Sequence, residues 1–148
     1  PRTTLGDVLE PEADIPEAYF VPAQQLAAWR HLKGAKREQR VHKASGTPYE
    51  YVEGAIPFPD PTDGPSRTIL TAEGGATPSR FKHLVLTDSG RYRRLTPREL
   101  ERLNGFPDEW TDTGMPEGRR AFMMGNALVV GVVERIAAAL AEDLDRQR

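Results

Sequence analysis

Cysteine is absent from the 148-residue chain, which excludes disulfides and thiolate metal sites. Histidine is scarce, at three residues, and no His/Asp/Glu cluster has metal-ligand spacing, so no metal is expected. No long hydrophobic run exists. The longest, residues 127–133, stops at Glu134-Arg135, whereas a membrane span needs about 20 apolar residues. No signal-peptide pattern, internal repeat or low-complexity tract is present. The first residue is proline instead of methionine, which implies a fragment or a processed product.

What is present is 38% hydrophobic and 28% charged residues, the balance of a soluble chain able to bury one ordinary core. The 13 glycines and 13 prolines imply much irregular structure. A net charge of −2 conceals a segregation: residues 30–102 carry 14 basic and nine acidic side chains, while residues 1–29 carry one and five, and residues 103–148 five and eight. A basic middle between acidic ends suits a polyanion-facing surface. Lysines and arginines that merely solvate a loop-rich surface are the alternative.

Residues 1–20 read as extended. Residues 22–33 read as a helix with Leu26, Trp29 and Leu32 in phase and Gly34 as its stop. A basic run follows (Arg30, Lys33, Lys36, Arg37, Arg40, Lys43, with His31 and His42 among them), and residues 46–64 are dominated by turns. Residues 67–71 and 81–86 are strand-like and flank a loop rich in Gly and small polar residues. The clearest element is a last helix in which Leu128, Val132, Ile136 and Leu140 recur at i+4. Trp29 and Trp110 are expected core anchors.

The most informative stretch is Arg94-Leu95-Thr96-Pro97-Arg98-Glu99, continued by Leu100-Glu101-Arg102-Leu103-Asn104-Gly105-Phe106-Pro107-Asp108. Thr96 can cap a helix, Pro97 suits its first position, and Glu99 completes a capping box. Gly105 and Pro107 end it. Capping does not account for Arg94, Arg98 and Arg102. The stretch resembles the ninth conserved motif of the DNA (cytosine-5) methyltransferases, RxLTPRE…RLxGFPD. Met124-Gly125-Asn126-Ala127-Leu128-Val129-Val130 resembles their tenth, GN[SA]vvv, in family order and at family spacing. Residues 4–10 with Tyr19-Phe20 resemble the segment that leads into the recognition domain of such enzymes.

The resemblance implies the C-terminal portion of a methyltransferase that, complete, methylates C5 of cytosine with S-adenosylmethionine on double-stranded DNA with a flipped base. The family mechanism needs a cysteine nucleophile, so this chain alone is expected to be inactive and to hold no catalytic residue. By implication the protein is bacterial, cytoplasmic and DNA-associated, and tied to restriction–modification.

The fold class expected is α+β: a small recognition domain of short strands, turns and helices, with a terminal helix that packs on a missing Rossmann-like domain. Residues 1–20 would be a linker, 21–112 the target recognition domain, and 113–148 motif X and the terminal helix. The candidate reader is residues 66–83. Its Gly74 and Gly75 would let the backbone approach DNA, with Arg67, Thr68, Ser79, Arg80, Lys82 and His83 as contacts. Arg67 and Arg80 are the candidates for guanine. Arg94 and Arg98 would brace the domain and reach phosphates. Gly125, Asn126 and Ala127 would hold the cofactor's carboxylate, with Asn126 capping the last helix. The stripe on that helix would face the missing domain, or in the fragment pack on the recognition domain or on a second copy. A stand-alone DNA-binding module and a structural pseudo-enzyme domain remain as alternatives.

Overall fold

The computed structural model describes residues 3–147. Its centre is the capped helix anticipated from the sequence, here α2 (Pro97–Leu103). Thr96 Oγ1 accepts the Glu99 N–H at 3.2 Å, and the Glu99 carboxylate accepts the Thr96 N–H at 2.9 Å. Gly105 ends the helix at φ 78°, a left-handed conformation that glycine adopts without strain. Leu100 from this helix joins Leu5, Val8, Val85, Leu95, Ala121 and Met124 in the main core.

Residues 1–20, expected to be an extended linker, are instead part of the body among the residues described. Short 3-10 turns at Gly6–Val8, Glu12–Asp14 and Glu17–Tyr19 carry Val8 and Tyr19 inward, and Leu5, Ile15 and Phe20 are buried beside them. The prolines Pro11 and Pro16 stand at the entries of two of these turns, where their fixed φ favours a bend over a straight strand. A last 3-10 turn, Ala23–Gln25, runs into α1 (Leu26–Lys33), which ends at Gly34 as expected and buries Trp29 completely.

The basic run and the turn-rich region after it form one antiparallel hairpin, β1 (Lys36–Val41) with β2 (Pro48–Glu53), in register from Lys36↔Glu53 to Val41↔Pro48. No apolar alternation announced it, because both of its faces are open. Conversely, residues 67–71 contain no strand, and of residues 81–86 only β3 (Val85–Leu86) is one. The reason is local. The N–H of His83 is taken by the Glu73 carboxylate and that of Leu84 by Asp60, so no neighbouring strand is needed. β3 pairs with β4 (Tyr92–Arg93), and Phe20 bridges to Arg93 on the far side.

Helix α3 (Glu117–Asn126) packs on α2, and the packing crosses the boundary expected at residues 112–113. Asn104 Nδ2 donates to the Met124 carbonyl at 2.9 Å, and the Val130 N–H donates to the Asn104 carbonyl at 2.8 Å. Helix α4 (Val130–Arg146) then runs on with no buried residue. Leu128 lies before it, and Val132, Ile136 and Leu140 are 55%, 63% and 60% exposed, so of the three expected partners for the stripe the recognition domain of the same chain is not the one it meets. Residues 117–146 are long and apolar enough to cross a membrane by length and composition alone, contrary to the reading from uninterrupted runs. The break at residues 127–129 divides them, and α4's one-sided apolar stripe suits a protein surface. Trp110, expected in the core, is 61% exposed.

Candidate nucleic-acid interface

The cationic side chains singled out around the glycine-rich loop are mostly committed to the protein itself. Arg80 is 8% exposed. Its Nη1 donates to the carbonyls of Leu32 at 3.0 Å and Gly34 at 2.9 Å, its Nη2 to that of Gly54, and its Nε lies 3.1 Å from Glu53. This guanidinium, expected to face guanine, is held by partners inside the protein. Its partners flank the β1–β2 hairpin, so it fastens both ends of the hairpin root to the C-terminus of α1.

Arg67 is half-buried. It makes a two-pronged pair with Asp60 (Nε–Oδ1 2.5 Å, Nη2–Oδ2 3.2 Å) and reaches the Phe81 and Lys82 carbonyls at 3.3 Å. Asp60 also accepts Lys33 Nζ at 3.1 Å and the Leu84 N–H at 2.8 Å. Burial pushes the Asp60 carboxyl up, but hydrogen bonds from Arg67 and Leu84 and the two nearby cations hold it below the usual carboxylate value. Burial pushes the Lys33 ammonium down despite that partner.

Lys82 and His83 are equally occupied. Lys82 Nζ donates to the Gly75 and Thr77 carbonyls at 3.0 and 2.9 Å, and burial with Arg94 nearby lowers its pKa. His83 is fully buried between Glu73 Oε1 at 2.7 Å and Ser66 Oγ at 3.0 Å. Arg94 donates to the same Gly75 carbonyl at 3.0 Å and to that of Ala18 at 2.6 Å, over the Tyr19 ring. Arg98 bridges Glu10 and Glu109. All four, expected as DNA contacts, are engaged with partners inside the protein. For Arg94 and Arg98 the bracing half of the expectation is the half the geometry carries.

Gly74 is needed for packing: a Cβ there would meet the Gly118 oxygen at 2.8 Å. Its neighbour Gly75, at φ 83°, is exposed, as is Thr68, while Ser79 is half-buried and accepts the Phe81 N–H at 3.3 Å. Thr68 and Gly75 are exposed, and Arg67, Ser79 and Arg98 keep part of their surface.

The tenth-motif residues also sit differently from the expectation. Gly125 and Asn126 end α3, and the residue before α4 is Val129. Asn126 Nδ2 donates back to the Phe122 carbonyl at 3.0 Å, and the Ala127 N–H donates to the Met124 carbonyl at 3.3 Å. Asn126 is therefore no N-cap, and the three residues offer no array of free N–H groups for a carboxylate. As they stand in this chain they do not fit that part of S-adenosylmethionine. Gly125 is required because a Cβ would collide with the backbone of Leu70 and Thr71.

Around α2 the remaining arginines lock onto acids. Glu99 and Arg93 pair at 2.7 Å, both within 2% of full burial. Arg120 joins Glu101, Glu109 and Thr111 Oγ1. Among the described residues no group of acids and histidines could hold a metal. What stands outside this lattice is the hairpin, which the sequence reading credited only as a basic run. Its signal was a pair of short polar runs with β-prone residues, Arg37-x-Gln39-x-Val41 and Tyr49-x-Tyr51-Val52, on either side of Ser45-Gly46.

The arrangement is an ion-paired scaffold from which a polar two-stranded ribbon projects. Residues 15–142 match the family model described as C-5 cytosine-specific DNA methylase, and the chain belongs to that family. It is 42% identical over 133 residues to the Type II methyltransferase M.Sau3AI of Staphylococcus aureus, covering 90% of this chain and 31% of that protein. To the Type II methyltransferase M.NgoBI of Neisseria gonorrhoeae it is 30% identical over 136 residues, 88% of this chain and 35% of the relative. A 55-residue stretch is 40% identical to M.NgoPII of the same organism, covering 37% of this chain and 16% of that protein. The chain thus spans about a third of the two relatives it matches along most of its length.

Proposed function

We propose that this chain is the DNA-recognition portion of a bacterial DNA (cytosine-5) methyltransferase, joined to a terminal helix that docks on a catalytic domain it does not itself contain. The observation that carries the reading is α2. The motif that identifies the family is also the hub of the fold, where Glu99 and Arg93 tie the residue 5–20 segment, β4 and the capped helix together. Such a hub keeps a recognition surface at a fixed attitude to whatever α4 contacts. Methylation at cytosine C5, a place in restriction–modification and the division into a recognition part and a helical tail belong to this proposal and rest on the family and the relatives' names.

In this family the methyl donor is S-adenosylmethionine, and the catalytic thiol and cofactor pocket would be supplied by the other domain. With no cysteine, the chain contributes binding and orientation. The test is direct. The 148-residue chain, titrated against a duplex pool of randomised sequence, should bind with a linear dependence of log K on log salt and should enrich a short sequence. It should transfer no labelled methyl group. A chain that binds no duplex at any salt concentration refutes the recognition reading.

A further inference from the structure

We infer that the β1–β2 hairpin is the element that enters the duplex, with Arg37, Gln39 and Val41 turned to the base edges and Lys43 at its tip on a phosphate. This rests on the recognition reading above and names the part of the chain that performs it. The first support is subtraction. Arg80, Lys82, His83 and Arg94 are each spent on carbonyls or carboxylates inside the protein, whereas every residue from Arg37 to Glu50 is exposed.

The second is shape. Two six-residue strands rise about 20 Å, and a two-stranded ribbon is an element that the major groove of B-DNA, about 12 Å wide, admits. A ribbon with neither face covered has little stability of its own. This one is held instead at its root, where Arg80 grips Gly34 and Gly54 and the Ile56 N–H meets the Lys33 carbonyl at 2.9 Å. The tip is closed by the His42 N–H to the Thr47 carbonyl and the Gly46 N–H to the His42 carbonyl, both 2.9 Å, with Gly46 at φ 69°.

The third is chemistry, which differs between the two faces. Paired and alternate residues share a face. On one face Arg40 lies 3.5 Å from the Tyr51 ring centre and pairs with Glu38, and the His42 ring lies tilted against Tyr49 at 4.6 Å between centres. Those side chains are engaged with one another and stiffen the ribbon. The opposite face carries Arg37, Gln39, Val41, Pro48, Glu50 and Val52, where the two valines are 60% and 57% exposed with nothing among the described residues to cover them. Arg37 spends only Nη1, shared at 3.1 Å between the Glu50 oxygens, which leaves Nε and Nη2 free to face guanine. Glutamine suits adenine, and an aliphatic side chain suits the thymine methyl.

Charge decides the occupant. The hairpin's three carboxylates, Glu38, Glu50 and Glu53, are neutralised by Arg40, Arg37 and Arg80, and among the described residues Lys43 at the tip has no ion-pair partner, which fits a phosphate backbone. Arg80 is then a positioning residue, acting through the hairpin root.

The experiment uses the 148-residue chain and the duplex sequence that it enriches from a random pool. Gln39→Ala and, separately, Arg37→Ala should each relax the preference at one base pair by about ten-fold or more, with binding to unselected duplex within two-fold. Lys43→Ala should weaken every duplex alike and reduce the salt slope by about 0.9. All three positions are exposed, so circular dichroism melts should match the parent. If the parent enriches a sequence and both Gln39→Ala and Arg37→Ala enrich it unchanged, the hairpin assignment is overturned while the recognition reading stands. If the parent enriches nothing, both fall.

Discussion

Replacing Glu99 by Gln tests whether the family motif is structural. Glu99 is fully buried, and its Oε1 accepts the Glu10 N–H at 2.8 Å and Arg93 Nη2 at 2.7 Å. Its Oε2 accepts Arg93 Nη1 and the Thr96 N–H, both at 2.9 Å. An amide keeps the shape but loses the charge, and its NH2 must point at one of these donors. Arg93 is left buried without a counter-charge. Breaking one partner of a buried pair costs about 3–5 kcal/mol, whereas losing a helix cap alone costs about 1 kcal/mol. Against a total stability of about 5–15 kcal/mol this is a large share. At about 2–4 °C per kcal/mol for a domain this size, the melting temperature should fall by roughly 6–20 °C.

Urea unfolding at pH 7, followed by far-ultraviolet circular dichroism, measures the change. The double variant Arg93→Met with Glu99→Leu removes both charges and should recover part of the loss. It cannot recover all of it, because the Glu10 and Thr96 N–H groups still lack an acceptor. A Glu99→Gln protein within 1 kcal/mol of the parent would refute the claim that this ion pair organises the fold.

Acid should unfold the protein from the carboxylates inward. Asp60 is held low as described, and in Glu101 burial raises the pKa but hydrogen bonds from Thr111 and Arg120 outweigh it. Both therefore contribute fully above their unfolded values of about 3.9–4.3 and lose that contribution as pH falls through the lower folded values, so urea midpoints should drop below about pH 4; a flat midpoint from pH 5 to pH 2 would contradict this. Arg80→Ala should free the hairpin root, seen as loss of amide-exchange protection across residues 36–53 while α2 keeps its own, and unchanged hairpin protection would deny the clamp. Ile136→Glu and Leu140→Glu should leave unfolding free energy within about 0.5 kcal/mol, since both are exposed, and should abolish any self-association seen by sedimentation velocity; a large loss of stability would mean that the stripe is packed.

Local chemistry was legible where the determining contacts lie within a few residues. The α2 capping box, the Gly105 stop, α1 with its Gly34 end and the buried Trp29 follow from spacing and backbone preference alone. So did family membership, since motifs nine and ten are short, contiguous and strictly spaced. The destination of each charged side chain was not legible. Arg80 and Lys43 carry the same charge, yet one is closed around carbonyls contributed by Leu32, Gly34 and Gly54 and the other stands in solvent. A guanidinium reaches six or seven ångströms from its backbone, so its partners are chosen by chain segments far apart in sequence. The β1–β2 hairpin escaped for the complementary reason: without a buried face it has no hydrophobic period to read. The sequence determined the capped helix, the family and the absence of a thiol nucleophile. Only the tertiary structure decided which cations hold the protein together and which remain free for a partner, because that depends on which carbonyls and carboxylates the fold brings within hydrogen-bond reach.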